Sequence, residues 1–328
     1  MQTSYIYSVS RVNALSQSLL SKTDIERLLV ADPGEDLKSA LKETYLAPYL
    51  VQVPNENLPD AIERTLTDAK SLIHRIAPNG DMFRVLWVQY DIHNLRVFAK
   101  ATLKGMSYED CASLVSERGI YDSEYLHASI EAGTLDSLQS GWQGAYEKAV
   151  QAVAAGDISG VDSILDEAFF ATCKQIVGNC KDAFVKSYLA NLIDLQNLKV
   201  NLRLLNNESV KFKPNFISGG NLGEEKFETE ESILQAFANF GGADFWKDSI
   251  EYFQKSRNTT SLDARAEEFM VMTAKEASYD MFSSGSLVLY YLRCRQAAGN
   301  VRTIVVGKNS GMKESIIRNN LRMAYVND

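Results

Sequence analysis

Three stretches of the chain set an amide, an aliphatic residue and a cation side by side: Asn94/Leu95/Arg96 in YDIHNLRVFAK, Asn197/Leu198/Lys199 in IDLQNLKVNLR, and Asn300/Val301/Arg302 in RQAAGNVRTIV. An aspartate stands three residues before the asparagine in the first two, at Asp91 and Asp194, and Ala297 takes that place in the third. The asparagines are 103 residues apart and then 103 again. On a helix, residues three apart share a face, so Asp91 and Asn94 project together, with Leu95 beside them toward a core. The chemistry open to such a set is hydrogen bonding. The amide can bond backbone groups of a following loop, and the cation can close on helix-end carbonyls or on the aspartate. A buried polar group must be satisfied and an internal partner is nearest, so the set reads as a lock between each helix and its loop. Direct contact with a partner is the competing reading.

Covalent chemistry finds no comparable pattern. Residues 299 to 308, GNVRTIVVGK, end in Gly307 and Lys308 like a phosphate loop, but that motif needs a glycine where Arg302 stands and a Ser or Thr where Asn309 stands. The glycines at 219, 220 and 223 lack dinucleotide spacing and follow no strand. His74, His93 and His127 are scattered and belong to no ligand cluster, and His93 is expected to be partly buried with a local hydrogen bond. There is no GxSxG elbow and no characteristic setting around a cysteine. Acid pairs such as Glu230 with Glu231 read as solvated helical charge. No catalytic, cofactor-binding or metal-binding residue is assigned.

The elements that must position the three sets are helices. Five of the six prolines lie before residue 79 and the other is Pro214, so long helices are free to form from Asn79 to Lys213 and from Asn215 onward. In DAIERTLTDAKSLIHRI, the residues Ile62, Leu66, Ala69, Leu72, Ile73 and Ile76 make one stripe at helical period, with Pro59 near the start. The segment FRVLWVQYDIHNLRVFAKATL is apolar on most sides and is expected to be buried. After it, Ser107 with Asp110 opens a short helix. Gly105 follows Asn94 by eleven residues and Gly311 follows Asn300 by eleven, each with Met next. In the middle copy Gly219 and Gly220 come later, which predicts an inserted loop near 206–227. A period of 103 far exceeds the roughly 33 to 47 of helical solenoids, so the expectation is three copies of a small helical domain, at 1–122, 123–241 and 242–328.

The chain of 328 residues can bury cores without disulfides or metals, and 45% hydrophobic with 23% charged residues is the composition of a globular protein. A net charge of -8 argues against nucleic acid and anionic lipid as partners. From Arg293 to Asp328, seven basic residues face two acidic ones, which is read as a solvated face. Cys111, Cys173, Cys180 and Cys294 form no CxxC pair and suit a reducing compartment. No signal peptide and no membrane span is legible, so membrane insertion is not expected.

Three helical units with NLR, NLK and NVR, the closing run GNVRTIVVGKNSGMKESIIRNNL and the chain length together resemble the C subunits of the V-type (A/V-type) ATPases of bacteria and archaea, whose eukaryotic counterpart is the d subunit. The resemblance covers essentially the whole chain and is most specific at Asn300, Arg302, Gly307, Lys308, Gly311, Glu314 and Arg318, with Ala297 a departure. It implies an all-α funnel of three similar lobes about a pseudo-threefold axis. It also implies a non-catalytic socket in the central rotor, partnered by the central shaft subunits and the membrane rotor ring. Such a protein lies on the cytoplasmic face of the membrane as part of a proton- or sodium-transporting complex and needs no cofactor. The basic C-terminal segment and the middle loop are candidate contacts. A free-standing helical scaffold for another cytoplasmic partner is the alternative, and an enzyme whose site is not written as a motif is a third.

Overall fold

The computed structural model describes residues 5–178, 180–206, 216–323 and 326. Its regular structure is helical at 74% with no strand among the described residues, which makes the protein all-α. The chain forms two compact units, one from Met1–Pro78, Leu198–Pro214 and Glu224–Asp328, the other from Asn79–Asn197 and Asn215–Gly223.

Each trio lies on a long helix: Arg84–Leu103, Ala183–Leu205 and Gly285–Asn309. These three repeat helices are apolar nearly all round, and they are buried accordingly, from Val85 to Ala101 in the first and from Gly285 to Gly307 in the third. The first packs against Ile158–Gly178 and Trp142–Ala154 within its unit. In the other unit, the third packs against Thr260–Ala277, Leu58–Ile76 and Ile6–Ser16.

Local signals account for where these helices stop and start. Leu58–Ile76 carries Pro59 in its first turn, where a missing amide donor costs little, and buries Ile62, Leu66, Ala69 and Ile73. Its stripe is narrower than its spacing suggests, since Leu72 and Ile76 are only half-buried. Gly105 and Gly311 end the first and third repeat helices with φ of 62° and 67°, a left-handed turn that favours glycine. The next residue donates back into the helix each time, Met106 N–H to Ala101 O at 3.2 Å and Met312 N–H to Gly307 O at 2.9 Å. Ser107 and Asp110 form the reciprocal cap expected of their spacing.

Candidate functional site

All three asparagines hold the backbone of one loop residue two-handed, by its N–H and its C=O. Asn94 Nδ2 donates to Ser116 O at 2.8 Å while its Oδ1 accepts from Ser116 N–H at 2.8 Å. Asn197 makes the same pair with Ile217, both at 2.9 Å, and Asn300 makes it with Arg322 at 3.0 and 2.8 Å. The asparagines are at most 1% exposed, and Leu95, Leu198 and Val301 beside them are fully buried. An amide that bonds the N–H and the C=O of the same residue fixes the two peptide groups on either side of that residue, so the loop is pinned to the helix.

The aspartates add a second grip. Asp91 accepts from Ile120 N–H at 2.7 Å and Tyr121 N–H at 3.2 Å, and Asp194 accepts from Asn221 N–H at 2.7 Å and Leu222 N–H at 3.2 Å. Both carboxylates are fully buried. Burial pushes the Asp194 carboxyl above the ordinary aspartate value, against the pull of its two N–H donors. The price of this geometry is a glycine. A Cβ on Gly119 would lie 2.3 Å from Asp91 Oδ1, and one on Gly220 would lie 1.9 Å from Asp194 Oδ1.

These glycines correct the reading of the middle copy. Gly220 is the counterpart of Gly119, not of Gly105. The asparagine and its pinned peptide are 22 residues apart in the first and third copies and 20 in the second. On this register the segment expected as an insertion near 206–227 is two residues shorter than its counterparts. Its residues 207–215 lie outside the described set.

The cations diverge. Arg96 meets Asp162 at 2.8 Å and Asp166 at 3.3 Å, both on Ile158–Gly178. Lys199 meets Asp263 at 3.6 Å on Thr260–Ala277, and Arg203 reaches the same carboxylate at 2.7 Å. Burial still lowers the Lys199 ammonium below the ordinary lysine value. Arg302 is exposed and ion-pairs with no described residue. Neither Arg96 nor Lys199 closes on the aspartate of its own trio, because a neighbouring helix places a carboxylate nearer.

Lys308 ties two parts of its unit together, donating to the carbonyls of Leu29 and Ala31 at the end of Lys22–Val30. Gly307 leaves room for Ile317, whose Cγ1 would stand 2.7 Å from an added Cβ. The two residues that resemble a phosphate loop are therefore engaged in packing and capping. Lys308→Met is expected to cost about 1.5–3 kcal/mol, since it leaves two carbonyls without their charged donor. Urea unfolding checks this against Lys313→Met, an exposed change expected within about 0.5 kcal/mol. Two more cations of the basic C-terminal segment are engaged: Arg318 pairs with Glu26 and Glu314, and Arg322 with Glu267. The Arg318 hydrogen bond holds the Glu26 carboxyl below its usual range.

His93 differs from expectation in being exposed, though its Nε2 does lie 3.0 Å from Leu114 O. Burial raises the thiols of Cys111, Cys173 and Cys294, the last to about 12, so they are neutral apolar groups at physiological pH. Sequence reasoning missed Asp162, Asp166 and Asp263, single acids on surface-like helices, and the glycine partners of the aspartates. The pinned residues Ser116, Ile217 and Arg322 share no side-chain chemistry, because only their backbone is held.

The site is a helix-to-loop lock repeated on three long helices. The family described as ATP synthase (C/AC39) subunit matches residues 8–320, and the chain belongs to it. Members of this family are accessory, non-catalytic subunits of rotary ATPases of the A/V type. The chain is similar to the C subunit of the A-type ATP synthase of Methanocaldococcus jannaschii, 23% identical over 342 aligned positions that cover 96% of this chain and 85% of that one. It is also similar to the C subunit of the V-type sodium ATPase of Enterococcus hirae, 20% identical over 318 positions covering 94% of each. Among the described residues no helix is long and apolar enough to cross a membrane.

Proposed function

We propose that this chain is the socket of the central rotor in an A/V-type rotary ATPase, joining the central shaft subunits to the membrane rotor ring during ATP-linked proton or sodium transport. In this reading it sits peripherally on the cytoplasmic face, held through the complex. Three similar lobes, 1–122, 123–241 and 242–328, close about a pseudo-threefold axis into a funnel that takes the foot of the shaft. The observation that carries the reading is the lock repeated on all three long helices, with Asn94, Asn197 and Asn300 each fixing the backbone of a loop residue by two bonds. A part that transmits torque has to resist creep between helix and loop, and close-packed helices pinned in this way are poorly compressible. The match along nearly the whole chain to the C subunits of the two relatives supports the same assignment.

Affinity purification of the full chain from its native membranes tests this. The expected result is co-elution with the shaft subunits and the detergent-solubilised ring, and no ATP hydrolysis by the chain alone. Recovery without either partner, or turnover of ATP by the isolated chain, would overturn the proposal.

A further inference from the structure

The third repeat helix leaves its cation open where the cations of the other two repeat helices meet an acid on a neighbouring helix. Counting by the 103-residue repeat, Gly299, Arg302 and Val306 correspond to Gln196, Lys199 and Arg203. In the second helix all three of those positions hold acids on other helices: Gln196 Nε2 donates to Asp166 at 3.0 Å, and Lys199 and Arg203 meet Asp263 at 3.6 and 2.7 Å. In the first helix Arg96, the counterpart of Arg302, grips Asp162 and Asp166 at 2.8 and 3.3 Å. Twice, then, the same position on the same helix faces a neighbouring helix that presents an aspartate.

Arg302 has no such neighbour among the described residues. It is exposed, as are Gly299 one turn before it and Asn309 two turns after it. Val306, on the same face, is 54% exposed. A Cβ added to Gly299 would meet nothing within 4 Å, so the backbone there is bare. The helix Leu58–Ile76 packs along this repeat helix and carries Asp60, Glu63 and Asp68, yet none of them pairs with Arg302. Residues spaced by three and four line up on one helical face, so Gly299, Arg302 and Val306 form a continuous strip with a notch, a cation and an apolar patch.

We propose that this strip is the docking surface for a helix of another subunit, one that lays its backbone close over Gly299, packs an aliphatic side chain on Val306 and presents an Asp or Glu to Arg302. The occupant is an acid-bearing helix because a helix presenting an aspartate meets the cation in both other copies, at Arg96 and at Lys199, although the flanking counterparts in the first copy, His93 and Lys100, are exposed. A planar guanidinium suits a carboxylate held in fixed geometry, and a bare glycine permits the close approach of two backbones. This rests on the rotary-ATPase reading above and adds to it where on the chain one partner binds and by what chemistry.

The test uses the full chain and a complex purified from cells lacking it. Wild type, R302E, R302K and G299L are titrated onto that complex, and each isolated chain is melted. The expected result is that R302E binds at least tenfold more weakly and loses part of the salt dependence of binding, R302K keeps most of the affinity, and G299L weakens binding while melting no lower than wild type. Reversing one acidic residue on the partner helix is expected to restore R302E. Equal binding by wild type and R302E overturns the inference and leaves the rotary reading standing, as does a loss of binding accompanied by a lower melting temperature. A strip that instead drives self-association, or binding to phosphatidylglycerol vesicles, also overturns it. Wild type that fails to bind the complex removes the rotary reading and this inference with it.

Discussion

Asn94→Ala is expected to lower the unfolding free energy of its unit by about 3–5 kcal/mol, because it strips the partners from the buried N–H and C=O of Ser116. Asn94 is fully buried and Ser116 is 6% exposed, so water does not readily replace the amide at the Ser116 N–H and C=O. An unsatisfied buried donor or acceptor costs about 1–3 kcal/mol, and here there is one of each. Asn94→Asp is expected to be no milder. It keeps the acceptor for the Ser116 N–H but turns a carboxylate oxygen on the Ser116 carbonyl, where Nδ2 now donates at 2.8 Å. The same change at Asn300 is expected to cost less, since Arg322 is half-buried and water can reach its peptide. Urea unfolding of the three single variants measures the ranking, and hydrogen exchange at the Ser116 amide reports the lock itself. A cost under about 1 kcal/mol for Asn94→Ala, with the Ser116 amide still protected, would show that the loop is held by something else.

Gly220→Ala is expected to cost about 2–4 kcal/mol through overpacking and the loss of two hydrogen bonds. The new methyl would stand 1.9 Å from Asp194 Oδ1 and 2.6 Å from its Cγ, so the carboxylate has to leave the Asn221 and Leu222 amides or the loop has to move. The φ at Gly220 is not in the left-handed region, so space and not backbone strain makes glycine necessary. A double-mutant cycle isolates the cause. Once Asp194→Ala has removed the carboxylate, adding Gly220→Ala is expected to cost little more, giving a coupling of about 1–3 kcal/mol. Additive effects would mean that the methyl collides with something other than Asp194. Gly299→Ala is the control: nothing lies near its Cβ, and a helix-interior glycine replaced by alanine is expected to stabilise by about 0.5–1 kcal/mol.

The pairing of aspartate with glycine also explains the irregular third copy. Where Asp91 and Asp194 stand, the third copy has Ala297, and the position that matches Gly119 on the 22-residue register is Tyr325. The glycine is needed only where a carboxylate fills the space its Cβ would occupy. When the carboxylate is absent from the sequence, so is the glycine. This covariation can be read from the chain alone, but only once the register between helix and loop is known, and the middle copy hides that register by being two residues shorter.

Helical class, the three trios and the burial of their asparagines and aliphatic residues were legible in the sequence because each depends on short-range spacing: proline-free runs, apolar period and a polar residue fixed at one place on a helix. The asparagine's role followed from its chemistry, since a buried amide has to find a donor and an acceptor. Its partner did not, because the lock grips a residue's backbone N–H and C=O, and these look alike whether they belong to Ser116, Ile217 or Arg322. Tertiary structure alone decided which carboxylate each cation meets, since those acids lie on other helices, as far away in sequence as Asp166 is from Arg96, 70 residues on. It alone separated Arg302 from Arg96 and Lys199. Three cations at the same place in three copies have the same local sequence logic, and what distinguishes them is whether packing brings another helix, with its aspartate, within reach.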